Sequence, residues 1–227
     1  IPDSFYYPAD FFNVNTTGSV NLLWKSIQSN SVDRFIHIST SEVYGSAQFV
    51  PMDENHPTAP HSTYAVSKLA GDRVAFTLHK ENGFPVVIIR PFNSYGPKYT
   101  QPYIIPEIMN QLLNGTKELM LGNVDATRDF TYVSDTADAI IRSLSSKKAV
   151  GEIINVGSGN EISIRDLAKL VCEVIGHNKK LVFNAKMPDG TMKKLLDTRK
   201  LNRVIKFKKT DLKKALKLTY LDYLQKN

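Results

Sequence analysis

The chain is 227 residues long, 42% hydrophobic and 22% charged, with a formal net charge of +7. Such a length and balance exclude a chain disordered throughout and leave room for a sizeable core. No apolar run approaches the roughly 18 residues of a membrane span, and the opening IPDSFYYPADFF lacks both the basic start and the apolar middle of a secretory leader, so a cytoplasmic setting without membrane contact is the default.

The chain opens on Ile1 and enters a polar-aromatic loop with no preceding strand, which reads as an internal start. Apolar spacing over residues 10–30 predicts a helix that ends before the polar cluster SNSVD. RFIHIST reads as a buried strand running into a loop at TSEVYG. Helical spacing resumes from Thr63 to His79. The β-branched run VVIIR at 86–90 is too short for a helix and suits a parallel core strand. PFNSYGP is turn-rich. IPEIMNQLLNG predicts a helix with Gly115 past its end, and ELMLG a strand. VSDTADAIIRSLSS offers Ser134 or Asp135 as the cap of a further helix, and GEIINVG is a strand closing on Gly157. An amphipathic helix in ISIRDLAKLVCEVIG is followed by a short strand at KLVFNA and helices at 198–204 and 210–218.

Short β-rich runs alternating with helical stretches predict an α/β fold, a doubly wound parallel sheet covered by helices. The second half reads as a small α/β lobe covering a substrate rather than an independent domain. Cys172, the single cysteine, lies on the apolar face of its predicted helix and excludes an intramolecular disulfide and a cysteine-built metal site. Lysines crowd the C-terminal part, as KK at 179, KK at 193, RK at 199, KFKK at 206 and KK at 213. They lack the interleaved aromatics of a nucleic-acid platform, so a solvated basic face is expected, some of it able to meet a substrate diphosphate.

The sharpest chemical signal is YAVSK. Tyr64 and Lys68, at i and i+4 of a helix start, share a face, so the ammonium can lie beneath the phenol and stabilise its phenolate. Thr40, Ser41 and Glu42 stand just past the carboxyl end of a predicted parallel strand, where doubly wound sheets take their ligands. There Thr40 can hydrogen-bond the hydroxyl that Tyr64 deprotonates, and Glu42 can act as a second acid or base. The same three residues can equally serve as caps of the next segment.

STSEVYG, YAVSK, RPFNSYGP at 90–97, GNVDATRDFTYVSD at 122–135 and GEIINVGSG at 151–159, in that order, resemble the extended short-chain dehydrogenase/reductases that act on nucleotide sugars. The resemblance spans nearly the whole chain. It implies a Rossmann-like fold, NAD in preference to NADP as cofactor, a nucleotide-diphosphate sugar as partner, no metal, and a homodimer formed through residues 10–30 and 63–80. Residues 1–97 would be the remaining part of the NAD-binding domain, and 98–227 mostly the substrate lobe, with 122–160 returning in part to the core sheet. Thr40, Tyr64 and Lys68 would form the catalytic triad, with Tyr64, Lys68, Ser39 and Pro91 at the cofactor. Ser41, Asn93, Arg128 and Lys193, or its neighbour Lys194, would meet the substrate. An arginine fork suits a phosphate; from the residues alone, Arg128 can instead pair with Asp129 or Asp135, and Asn93 can stabilise its own turn. The family's glycine-rich strand–turn–helix start has no counterpart here, so the opening βαβ units, on the order of 80 residues, are expected to be missing. A chain without them is expected to be inactive alone, or a non-catalytic remnant.

Glu42 separates the reactions that the resemblance allows. Related 4-epimerases generally carry a non-acidic residue at this place, whereas in 4,6-dehydratases a glutamate there removes the C5 proton once C4 is a ketone, and water leaves from C6. Thr40-Ser41-Glu42 is similar to the run in dehydratases of GDP-mannose, while the dTDP-glucose enzymes usually show T-D-E. UDP-glucuronate decarboxylases share S-E-V-Y-G. The tail MPDGTMKKLLDTRKL, residues 187–201, is similar to the GDP-fucose synthases, but those carry a cysteine where Glu42 stands. The expectation is therefore a 4,6-dehydratase.

Overall fold

The computed structural model describes residues 1–98, 103–177, 180–184 and 192–225. Lys179, Ala185 and residues 187–191 of the tail pattern lie outside the described residues. A 3-10 turn at Pro2–Phe5 leads into one helical stretch in three parts: α1 (Pro8–Phe12), a π-helical segment (Asn13–Gly18) and α2 (Ser19–Ser29). β1 (Phe35–Ile38), a 3-10 turn (Ser41–Tyr44), α3 (Thr63–Asn82), β2 (Val86–Pro91), β3 (Ser94–Tyr95), α4 (Ile104–Leu113) and β4 (Glu118–Leu121) come next. The chain continues through β5 (Thr127–Asp129), β6 (Thr131–Tyr132), α5 (Val133–Ser145), β7 (Ile153–Val156), β8 (Glu161–Ser163), α6 (Ile164–Ile175), β9 (Lys180–Phe183), α7 (Arg199–Ile205) and α8 (Leu212–Leu224).

The architecture is α/β. β1, β2 and β7 form a parallel sheet in that order, with Ile36 beside Val87 and Ile89 beside Ile154. β2 is buried along its β-branched run because both faces of the sheet are covered. Val87 and Ile89 pack with Ala139 of α5 and Leu201, Val204 and Ile205 of α7, while Val86 and Ile88 pack with Leu23 of α2 and Ala75 of α3. β3 pairs with β6 and β4 with β9, both parallel, and β5 pairs antiparallel with β8. Around β4 a second core gathers Ile105, Ile108, Met109 and Leu112 of α4, Leu167, Ala168 and Val171 of α6, and Ala215 and Leu216 of α8. Cys172 is buried in it, as its helical position predicts.

Three expectations need correction. The 10–30 helix starts earlier, at Pro8, and is interrupted by the π-helical segment, where the Asn15 amide and Thr16 hydroxyl donate to Ser67 of α3 at 3.0 and 2.9 Å. Close approach of the two helices there requires Gly71, since a Cβ would stand 2.7 Å from the Asn15 carbonyl oxygen. Neither Ser134 nor Asp135 caps α5, because the helix already starts at Val133 and Tyr132 takes the cap position. Asp135 instead accepts from the backbone N–H and the hydroxyl of Thr210, each at 2.7 Å. The basic tail is not uniformly a solvated face either: Lys194 is only 2% exposed.

Candidate active site

β1 delivers the chain to the carboxyl edge of the sheet, where Ser39, Thr40 and Ser41 are buried. The Thr40 hydroxyl accepts from the Glu42 N–H at 3.2 Å and so caps the 3-10 turn, while Thr40 also lines a cavity. Capping and facing a ligand space are thus compatible at this residue. Gly45 ends the turn with φ 66°, and a Cβ there would stand 2.0 Å from the Ala59 carbonyl oxygen, so only glycine fits. α3 begins at the cavity because Ser62 accepts from the Ala65 N–H at 3.1 Å, which sets Tyr64 in the first turn.

The cavity is about 750 Å³, and its wall includes Ser39, Thr40, Ser41, Glu42, Tyr64, Pro91, Asn93 and Arg128. Burial pushes the pKa of the Tyr64 phenol up, the Thr40 hydroxyl acts against that, and Tyr103 and Glu42 add to the rise. Lys68 shares the helix face of Tyr64, yet its ammonium donates to the Ile38 carbonyl at the end of β1 and is held below the ordinary lysine value chiefly by burial, with Asp72 opposing. The strand end, rather than the phenol, satisfies this cation. The Ser39 hydroxyl is buried without a hydrogen-bond partner among the described residues.

The Asn93 amide donates to the Asp129 carbonyl at 2.9 Å, and the Asn93 main-chain carbonyl accepts from the Thr131 N–H at 3.1 Å, so this residue ties the end of β2 to the β5–β6 segment, rather than bracing its own turn, and also lines the cavity. Arg128 donates to the Thr127 carbonyl at 2.8 Å. Burial holds its pKa below the usual arginine value, and the Glu42 carboxylate opposes that. Neither nearby aspartate takes the Arg128 guanidinium. The Asp129 carboxylate accepts from the Ser158 N–H and hydroxyl and the Gly159 N–H at 2.7–2.8 Å, and Asp135 holds Thr210.

Lys193 is exposed and does not line the cavity. Its neighbour Lys194 turns inward and ion-pairs with Glu42. Sequence reasoning also misses the polar chain beneath the site. Asp72, two turns beyond Tyr64 on α3, grips Arg90 of β2 with bonds of 2.8 and 3.1 Å. Arg90 donates to the Tyr44 hydroxyl at 2.9 Å, which donates to Asn155 of β7 at 2.7 Å. The only sequence signal for this chain was the i+8 position of Asp72, which repeats the face of Tyr64 and Lys68.

Comparison with known proteins converges on one group. The family model described as GDP-mannose 4,6 dehydratase matches residues 1–219. A probable GDP-L-fucose synthase 1 of Oryza sativa subsp. japonica is 31% identical over 233 residues, covering 96% of this chain and 71% of the relative. The dTDP-glucose 4,6-dehydratase of Streptomyces niveus is 32% identical over 200 residues, covering 88% and 59%. Among solved structures, RMD from Pseudomonas aeruginosa complexed with NADPH superposes with a TM-score of 0.91 at 27% identity, covering 100% of this chain and 78% of that one. UDP-glucuronic acid 4-epimerase from Bacillus cereus, in complex with UDP-glucuronic acid and NAD, gives 0.84 at 30% identity, covering 94% and 68%.

Proposed function

The chain belongs to the GDP-mannose 4,6-dehydratase-type family of nucleotide-sugar dehydratases and epimerases, and from that premise we propose that it acts as an NAD-dependent nucleotide-sugar 4,6-dehydratase. The observation that carries this reading is Glu42, a carboxylate in the same cavity wall as Thr40 and Tyr64. A 4-epimerase needs a base at the C4 hydroxyl alone; a 4,6-dehydratase needs a second one at C5.

The residues present fit the cofactor. The Ser39 hydroxyl is an unpartnered buried donor, and the Lys68 ammonium stands beside it at the end of β1. Tyr64, Lys68, Ser39 and Pro91 would hold NAD, with NADP the lesser alternative; when bound, it supplies reversible uptake of hydride from the sugar. Tyr64 Oη takes the proton of the C4 hydroxyl, which Thr40 Oγ orients by hydrogen bonding. A ketone at C4 makes the C5 proton acidic, and Glu42 takes that proton as the C6 hydroxyl leaves as water. With the hydride given back at C6, a proton returns to C5 in place of the one drawn from the C4 hydroxyl, which yields the 4-keto-6-deoxy sugar. Asn93 and Ser41 line the sugar end, and the Arg128 fork takes a diphosphate oxygen pair. Residues 1–97 form the cofactor side and 98–227 mostly the substrate lobe, in a cytoplasmic protein. Two copies pair through α1, the π-helical segment, α2 and α3, where Phe12, Val14, Leu22, Trp24 and Val66 are exposed apolar side chains.

Replacing Glu42 by glutamine tests the role. E42Q in the full-length protein is expected to form the C4 ketone but release the 4-keto-6-deoxy product about 10²–10⁴-fold more slowly. Release at the wild-type rate would overturn the assignment. A second reading, the epimerase–reductase chemistry of the GDP-fucose synthases, draws on the rice relative and on the tail pattern. Against it stands Glu42 at the place of their cysteine, with Cys172 buried in α6.

A further inference from the structure

We propose that Lys194 is a positioning residue for Glu42, holding one carboxylate oxygen so that the other faces the sugar at C5; this rests on the dehydratase reading above. Lys193, Lys206, Lys208, Lys209, Lys213 and Lys214 are exposed, whereas Lys194 is 2% exposed. Taking an ammonium out of water is costly unless an anion compensates. Its partner is the half-buried Glu42 carboxylate, met through Oε1.

The backbone around Lys194 is clamped on two sides. Along β5, the Thr127 N–H donates to the Met192 carbonyl at 2.8 Å and the Asp129 N–H to the Lys194 carbonyl at 2.9 Å. On the other side, the Met52 N–H donates to the Leu195 carbonyl at 2.7 Å, and the Asp197 N–H to the Met52 carbonyl at 2.9 Å. The lysine therefore projects from a fixed base beside β5, the strand that carries Arg128. Glu42 has no such anchor of its own, because it sits in a four-residue 3-10 turn and its side chain turns about three torsions. Pairing with Lys194 removes that freedom and leaves Oε2 without a hydrogen-bond partner among the described residues. A proton acceptor displaced by about 1 Å loses on the order of 10²-fold in rate, so the anchor has kinetic weight.

The experiment uses the full-length protein, NAD and a nucleotide sugar that the wild type dehydrates. K194M is expected to lower the kcat of dehydration on the order of 10²-fold with little change in KM. The earlier oxidation at C4, followed in rapid mixing by the absorbance of the reduced cofactor, stays unchanged. K194R, which keeps the charge, recovers most of the loss. A melting cycle tests the pair without chemistry: E42Q strands the buried ammonium and lowers Tm, and K194M added to E42Q raises it again. Dehydration by K194M at the wild-type rate, or an E42Q/K194M variant that melts no higher than E42Q, overturns the role of Lys194 and leaves the dehydratase reading standing. A wild-type protein that dehydrates no nucleotide sugar overturns the reading itself, and with it the role of the pair in turnover.

Discussion

His37 lies on β1 opposite Gly71 of α3, with Cε1 3.1 Å from where a Cβ at Gly71 would stand, and its Nε2 is buried without a partner among the described residues. Burial first, then Lys68, lowers its pKa from 6.5 to about 4, while Asp72 acts the other way. Between those values the unfolded chain binds a proton that the folded one refuses. Stability from this residue is therefore complete above pH 6.5 and falls away towards pH 4, by roughly 3 kcal/mol in all. The half-buried carboxyl of Glu54 and the buried one of Asp129, held above their ordinary values by desolvation, work in the opposite direction. Comparison with an H37L variant isolates the histidine. Chemical denaturation across this pH range is expected to show a flatter curve for H37L; two parallel curves would contradict the account.

Asp72 is the point at which α3 is fixed to the sheet. Tyr64, Lys68 and Asp72 occupy one face of the helix, and the Asp72 carboxylate is wholly buried against Arg90 of β2, itself 2% exposed. The bidentate pair sets the height of α3 over the sheet, and with it the Tyr64 phenol beside Thr40. Removing only one partner strands the other charge in the core. D72A is expected to cost about 3–5 kcal/mol in urea unfolding. Replacing both residues, as in D72L/R90M, is expected to cost less than D72A alone, because no charge remains unpaired. A D72A protein as stable as wild type would show that the pair does not anchor the helix.

At the scale of the whole molecule, apolar periodicity made most of the helices and the central strands legible, because each buries a continuous face. The π-helical segment was not legible: its cause is the contact of Asn15 and Thr16 with Ser67, more than 50 residues away. Nor was the start of α5, because Asp135 is engaged by Thr210 from the tail instead of capping. In the site, the motif residues Thr40, Glu42, Tyr64, Asn93 and Arg128 come together on one cavity. The burial of Lys194 and its pairing with Glu42 escaped, because that partner lies 152 positions away and nothing in the run of basic residues marks one lysine as buried.

Glu42 gives the account its central claim, that the sugar loses water after its oxidation at C4. The most direct measurement incubates the full-length protein with NAD and a panel of GDP-, dTDP- and UDP-sugars and follows the mass of the sugar product. The account predicts a product lighter by one water and carrying a ketone. A product of unchanged mass, or one lighter by carbon dioxide, would contradict it.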